Sequence, residues 1–533
     1  MKHMNQLPLT VGVTGHIRLR EQDRDVLLRT VENELTSLRD AFPHTPLVML
    51  NSLAAGADQL CADAAEELGI PLTAVLPMPP EEYRKDFDEA SLEKLNHHLE
   101  RAERVFIAPP AEKEPMNAGR DFRYRQAGIF VAEHCHALIA LWDGKPDGGN
   151  GAGTAATVAF ALDGDWQPES GMPVRSADNC LVIHVMTPRE GETAGDAGSV
   201  RRLGNADAWK NLAERTEEFN TLAEEQDPEG AGLLPEDGEK PSAEGQMEDL
   251  YRTADSLSLR FARLYRRLLA GLALAGTAVT LAFLVYDEGQ MTPMILLCGA
   301  ALLCAAWLQW QAKRTECHRR FIEYRVLAEA LRVQAFLRYA GSRLQVHRLM
   351  SWTQQDETTW ILCAMCAMNA MPPPEKNRDI HDCWVEGQRS YHQRAGTRTA
   401  ARERKNERIL RIALRISILF YLGTLAYELT VGGALLPPVM TVRDPEFIRT
   451  LIKILLGAVS AGTLFMASYY GKMSLGRVTG DHEKMVRFYE KAADRMVRCG
   501  QDEQILEVLV REELAENANW SSYQRDNAPE LNI

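Results

Sequence analysis

No cleavable signal peptide is legible at the start of the chain, no regular spacing pairs its cysteines, and its charge balance offers no general basic face. Each absence narrows the field. The ten cysteines are scattered, and Cys298 and Cys304 lie inside a greasy segment, so a reduced, cytosol-facing compartment is expected rather than a disulfide scaffold. A formal net charge of −14 speaks against nucleic acid as a partner, because counterion release needs a surplus of cations. One Cys-x-x-Cys, Cys363 and Cys366, stands in "WILCAMCAMNAM" without a second pair or a nearby ligand histidine. A buried helix is expected there, and no metal site is expected in the chain.

What is present is uneven. The 533 residues are too many for one ordinary core. In the first 190, short aliphatic runs alternate with longer helical patterns: "LTVGVTG", "PLVMLNS", "PLTAVLP", "ERVFIAPP", "HALIALWD" and "NCLVIHVMT" read as strands. The alternation predicts an α/β fold, a Rossmann-like parallel sheet with its ligand crevice beyond the carboxyl ends of the strands. Residues 191–248, rich in Gly, Glu, Asp, Ser and Pro, read as a flexible acidic linker with a short helix around Trp209 to Phe219.

Beyond the linker an all-α membrane domain with about four spans is expected. "LLAGLALAGTAVTLAFLVY" and "MTPMILLCGAALLCAAWLQW" flank the acidic turn "DEGQ" as a transmembrane hairpin within residues 249–345. Arginines and lysines on both outer flanks put those flanks in the cytoplasm by the positive-inside rule. A helical connector, 346–405, leads to a second hairpin in 406–533, "IALRISILFYLGTLAYELTV" and "LIKILLGAVSAGTLFMASYY". An even number of crossings leaves both termini cytoplasmic. Arg411, Arg415 and Lys453 are polar groups in or beside these spans, the first two on one helical face. Gly271 with Ala275 and Gly457 with Ala461 offer small residues at helical spacing for close packing.

The chemistry-bearing residues stand at strand ends. "GGNGAGTAATV" offers backbone amides and a helix N-terminus to an anion, with Gly151 and Gly153 permitting close approach and the Thr154 hydroxyl available to a phosphate. "VGVTGHIR" puts Thr14, Gly15, His16 and Arg18 after the first strand, and "NSLAAGADQL" puts Ser52, Gly56, Ala57 and Asp58 after the second. Taken singly, the glycine turn reads equally as a surface loop, His16 as a turn residue and Asp58 as a helix cap.

Together with "VLPMPPEEYRKDF" and "AGIFVAEHCHALIALWDG", these motifs resemble the SLOG superfamily, the Rossmann-like group around the cytokinin-activating phosphoribohydrolases and the DNA-processing proteins. The resemblance covers residues 1–190. It implies a nucleotide-derived ligand, such as an ADP-ribose or other NAD-derived compound, with no required cofactor. Binding roles would fall on Thr14, Gly15, His16, Gly56, Asp58, Trp142, Asp143, Gly151, Gly153 and Thr154. Two departures matter: Ile17 separates His16 from Arg18 where relatives carry arginine directly, and Ala155 and Ala156 stand where the hydrolase branch carries glutamate. Without that carboxylate beside a departing base, sensing is favoured over hydrolysis and no catalytic residue is assigned.

"ADSLSLRFARLYRR", "EYRVLAEALRVQAF", "WVEGQRSYH" and "ELAENANWSSYQRD" are similar to the SLATT group of membrane proteins tied to bacterial nucleotide-signalled conflict systems. That resemblance implies a homo-oligomeric pore-forming effector in the bacterial inner membrane, serving antiphage defence. The alternatives are a membrane-tethered nucleotide phosphoribohydrolase and a constitutive transporter or scaffold.

Overall fold

The six apolar runs of the first 190 residues each form a strand in the computed structural model. It describes residues 5–110, 119–146, 151–163, 180–191, 196–226, 232–235, 242–351, 358–374, 377–432, 443–473 and 475–526. The middle of the glycine-rich turn, 147–150, and the acidic stretches 227–231 and 236–241 lie outside the described residues. Strands β1 (Leu9–Gly15), β2 (Leu47–Asn51), β3 (Leu72–Leu76), β4 (Arg104–Ile107), β5 (Ala137–Trp142) and β6 (Leu181–Met186) run parallel in the order β4-β3-β2-β1-β5-β6. Helices α1 (Arg24–Ala41), α2 (Ala57–Glu67), α3 (Glu89–Arg101), α4 (Arg120–His134) and α5 (Thr154–Asp163) fall between them.

The layering follows from burial on both faces. β3 is buried along its whole length and β5 up to Trp142, which requires helices above and below. On one side Leu27, Val31, Leu35 and Leu38 of α1, spaced by three and four, join the inward residues of β1, β2 and β3. On the other, Ala127, Phe130 and Val131 of α4 pack with Leu50, Val75 and Leu138. Successive strands progress outward from β1 to β4 and then return to β5 on the other side of β1. The order therefore reverses between β1 and β5, the switch point at which such sheets leave a crevice.

Within 191–248 the expected helix around Trp209 to Phe219 is present, but the flexible-linker reading of the residues about it requires correction. Val200–Leu203 forms a seventh strand, β7, antiparallel to β6, and Ala206–Glu224 forms a helix, α6, with Trp209 and Phe219 buried. Trp209 meets Phe42 edge-on at 6.0 Å and donates its indole N–H to the His136 carbonyl at 2.8 Å. Asn220 of α6 accepts from the Leu7 amide and donates to the Leu7 carbonyl, closing the start of β1. A short apolar stripe with buried hydrogen bonds outweighs the disorder-prone composition around it.

The helices that follow are α7 (Ser242–Asp287), α8 (Met294–Thr315), α9 (Cys317–Tyr339), α10 (Thr359–Met368), α11 (Gly387–Tyr427), α12 (Pro445–Met473), α13 (Leu475–Cys499) and α14 (Glu503–Asp526). Packing divides the chain into two units: Met1–Leu257 with Arg325–Ile380 and Asp502–Ala518, and Ser258–Tyr324 with His381–Gln501 and Asn519–Ile533. The first thus recruits helical segments beyond residue 190. Within it Arg332 of α9 pairs with Glu329 and with Glu513 of α14, all three buried, and α10 is buried from Trp360 to Met368, Cys363 and Cys366 included. The expected connector 346–405 is divided between the units.

The second unit holds the apolar parts of α7, α8, α11 and α12, four helices long and apolar enough to cross a bilayer. Most of their apolar surface has no protein cover, and in the third and fourth none of the apolar window is buried. Closed intrahelical hydrogen bonding lets such surfaces face lipid, and the chain is a multi-pass membrane protein. Its small residues mark close approaches: a Cβ at Gly457 would lie 2.6 Å from Leu284 Cδ2, one at Gly276 2.7 Å from Phe465 Cε1, and one at Gly271 3.1 Å from Leu308 Cδ1. Lys453, two turns into α12, binds Glu288 in the turn after α7 at 2.9 Å. Arg411 pairs with Glu407 at 3.6 Å, and Arg415 is exposed.

Trp209→Ala should destabilise the full-length protein by about 3–5 kcal/mol, as for other buried aromatic truncations. Chemical denaturation of the detergent-solubilised chain measures this, and a change below about 1 kcal/mol would return α6 to the status of a linker.

Candidate functional site at the strand ends

The switch point brings two of the three corners side by side through the register Gly15↔Leu141. The His16 amide donates to the Leu141 carbonyl at 3.1 Å, so the β1 ladder continues one residue past the strand. His16 then turns its ring toward β5, where Nε2 accepts from the Asp143 amide at 3.1 Å and lies 3.5 Å from Asp143 Oδ1.

The second corner is locked to the first by the absence of side chains. A Cβ at Gly15 would stand 2.3 Å from Ala57 Cβ, and one at Gly56 would stand 2.1 Å from the Ile17 carbonyl oxygen. Gly56 also adopts φ +81°, and the Ala57 amide donates to the His16 carbonyl at 3.0 Å. Inside this turn Asn51 accepts from the Leu53 amide and donates to the Asp58 carbonyl, while Tyr83 donates its hydroxyl to the Ser52 carbonyl. Ala57 and Asp58 are buried, and Ser52 is half-buried.

The third corner lies after residues 147–150. Gly151 adopts φ +61°, and a Cβ there would lie 3.5 Å from Arg125 Nη1, so a guanidinium stands beside the turn. α5 begins at Thr154, its first-turn amides following Gly153, which is exposed. The positive end of a ten-residue helix and an arginine therefore lie next to the glycine turn, chemistry suited to an anion. Trp142 is half-buried, and its ring lies 5.3 Å from that of His184, whose Nε2 bonds the Trp142 carbonyl. Arg18 is exposed at the edge of the β1 corner.

The carboxylates differ sharply. Burial acting alone would raise the pKa of Asp143, but the Lys145 amide, the Arg189 guanidinium at 2.7 Å and His16 outweigh it and hold the group below the usual carboxylate range. It is an ionised, fully engaged clamp between the β1 and β5 corners. Asp86 is held by Arg120 at 2.5 Å and by the Tyr124 hydroxyl, and Glu82 by Lys85 at 2.6 Å. Asp58 is the reverse case: burial, offset only in part by the Ala54 amide, pushes its pKa to about 7.

Asp58 thus stays protonated in the folded chain up to about pH 7, whereas unfolded it ionises near 3.8. Between those values the folded state binds the extra proton, so stability falls as pH rises from about 4 to about 7 and stays lower above that. Asp58→Asn keeps an acceptor for the Ala54 amide and loses the penalty. It should match the parent at pH 4 and exceed it by roughly 2–4 kcal/mol at pH 8. Hydrogen exchange of the 57–67 amides at the two pH values reads this, and equal protection at pH 8 would refute it.

No protein-family model matches the chain, and no curated protein matches it.

Proposed function

We propose that the chain is a membrane-anchored sensor-effector: its sheet binds a nucleotide-derived signal at the strand ends, and binding alters the packing or assembly of the membrane helices so that the membrane is permeabilised. The observation that carries this reading is the switch point between β1 and β5, where the Thr14–His16 corner is clamped to Asp143 and from which the chain runs on to the glycine turn and α5, in a chain with four bilayer-length helices. An anion at the start of α5 would meet helix amides and the Arg125 guanidinium, while Asp143, bound by the Lys145 amide and Arg189, serves this reading as a structural clamp. The resemblance to SLOG and SLATT proteins extends the reading to an NAD-derived signal, a homo-oligomeric pore in the bacterial inner membrane, cytoplasmic termini and antiphage defence. A ligand shifts the membrane half only through unequal affinity for two arrangements.

A second reading, nucleotide hydrolysis, is favoured by one observation: Asp58, beside the glycine corner, carries the elevated pKa expected of a general acid.

Full-length protein in dye-loaded liposomes, titrated with ADP-ribose and cyclic ADP-ribose, tests the first reading. At a hundredfold excess over Kd the ligand should stabilise the protein by about 2.7 kcal/mol and release the dye. Gly153→Glu, which adds a negative charge at the helix start, should abolish both effects. Dye release unaffected by Gly153→Glu would overturn the site, and release of free base from nucleoside monophosphates that is lost in Asp58→Asn would establish the hydrolase instead.

A further inference from the structure

Helices α2 and α3 meet through two polar stripes. Asp63 and Glu66 stand three residues apart on α2, and Lys94, His97, His98 and Arg101 recur at three and four residues along α3. Lys94 donates to Asp63 Oδ2 and Arg101 to Glu66 Oε1, which leaves Glu66 Oε2 to the histidines. His97 Nε2 lies 2.9 Å from that oxygen, and His98 Nδ1 lies 3.7 Å from it. Glu66, His97 and His98 thus bring one potential ligand atom each within 4.8 Å of the others.

His98 separates this cluster from an ordinary surface network. Its side chain is only 2% exposed, and its Nε2 lies 2.9 Å from Asp63 Oδ1. An ionised carboxylate only accepts, so Nε2 carries the proton of that bond, and in the neutral ring Nδ1 keeps a lone pair on the side of Glu66. A carboxylate behind an imidazole, holding the ring by one nitrogen while the other is offered, is the usual support of a metal-binding histidine. The separations also suit an ion. Tetrahedral ligands with bonds near 2.1 Å stand about 3.4 Å apart, between the two distances to Glu66 Oε2.

We propose that Glu66 Oε2, His97 Nε2 and His98 Nδ1 form a zinc site that staples α2 to α3. Two imidazoles and one carboxylate suit zinc, whereas magnesium calls for oxygen ligands alone. Zinc takes the place of the proton that His97 shares with Glu66, and because both residues are exposed, water completes the coordination. Sequence spacing gives no sign of the site: the histidines are immediate neighbours, and their carboxylate comes from a helix 31 residues away. Glu66 stands nine residues along α2 from Ala57, about 14 Å at the usual rise, so the site is separate from the strand-end corner.

The test is modification of histidines by diethyl pyrocarbonate in the full-length, detergent-solubilised protein, freed of metal by a chelator, at rising zinc chloride or magnesium chloride and mapped by peptide mass spectrometry. Zinc should protect His97 saturably, and magnesium should not. Glu66→Gln should raise the zinc needed for half-protection about a hundredfold, and Asp63→Asn about tenfold. His97→Ala, a change at an exposed position, gives a second reading: zinc should slow amide exchange across 57–67 and 89–101 in the parent and not in this variant. Gly153→Glu should leave the zinc response unchanged, which keeps this test apart from that of the strand-end corner. No protection of His97 by zinc, equal protection by magnesium, or a zinc response indifferent to Glu66→Gln and His97→Ala would each overturn the proposal.

Discussion

Two missing methyl groups govern the strand-end geometry. At Gly15 and Gly56 any side chain would occupy space already taken by Ala57 or by the Ile17 carbonyl, so the β1 and β2 corners close to backbone contact only because both positions are bare. That approach lets the His16 carbonyl accept the first amide of α2 and aims the His16 ring at β5. Asp143, drawn in by the His16 ring, the Lys145 amide and Arg189, then ties the far side of the switch point to the near side. A glycine contact thus propagates through one histidine and one aspartate into the shape of the whole corner.

Much of this was legible along the chain because it is local. Short apolar runs bounded by small-residue turns marked six strands, and charge-free runs of bilayer length marked the spans. β7 was not legible: "VRRL" has four residues, two of them arginine, and gains strand character only from β6 alongside. α6 sits in a segment whose acidic composition signals disorder; its helical pattern from Trp209 to Phe219 was legible, its full length from Ala206 to Glu224 was not. Pairings across sequence distance were equally hidden. Arg189 reaches Asp143 from 46 residues away, and Arg125 reaches the glycine turn from a different helix. Asp58 looked like a helix cap, and burial makes it an acid that titrates near neutrality.

The membrane helices obey a different constraint. Their backbone bonds close internally, so the side chains are free to be apolar wherever lipid is the solvent, and packing specificity must come from shape. Gly276 against Phe465 and Gly457 against Leu284 supply that shape by letting a large side chain of one helix enter the groove left by a small residue of another. Two ion pairs stand on the side of the turns that close the hairpins, Lys453 with Glu288 and Arg449 with Glu428 at 2.7 Å.

Continuity of helix, more than any single contact, bears on how the two halves could communicate. α7 runs unbroken for 46 residues from Ser242 to Asp287, a rod of about 69 Å at the usual rise. Its early turns bury Met247, Leu250, Ala254 and Leu257 within the first unit, and its later turns form the first span. An α-helix resists bending more than side chains resist repacking, so under the proposed reading a shift in the packing around Met247 to Leu257 would travel along the rod as rotation or translation. A flexible tether at the same point would dissipate such a shift. Under the sensor-effector reading proposed above this distinction matters, since ligand binding could bear on the spans only through an element that holds its form.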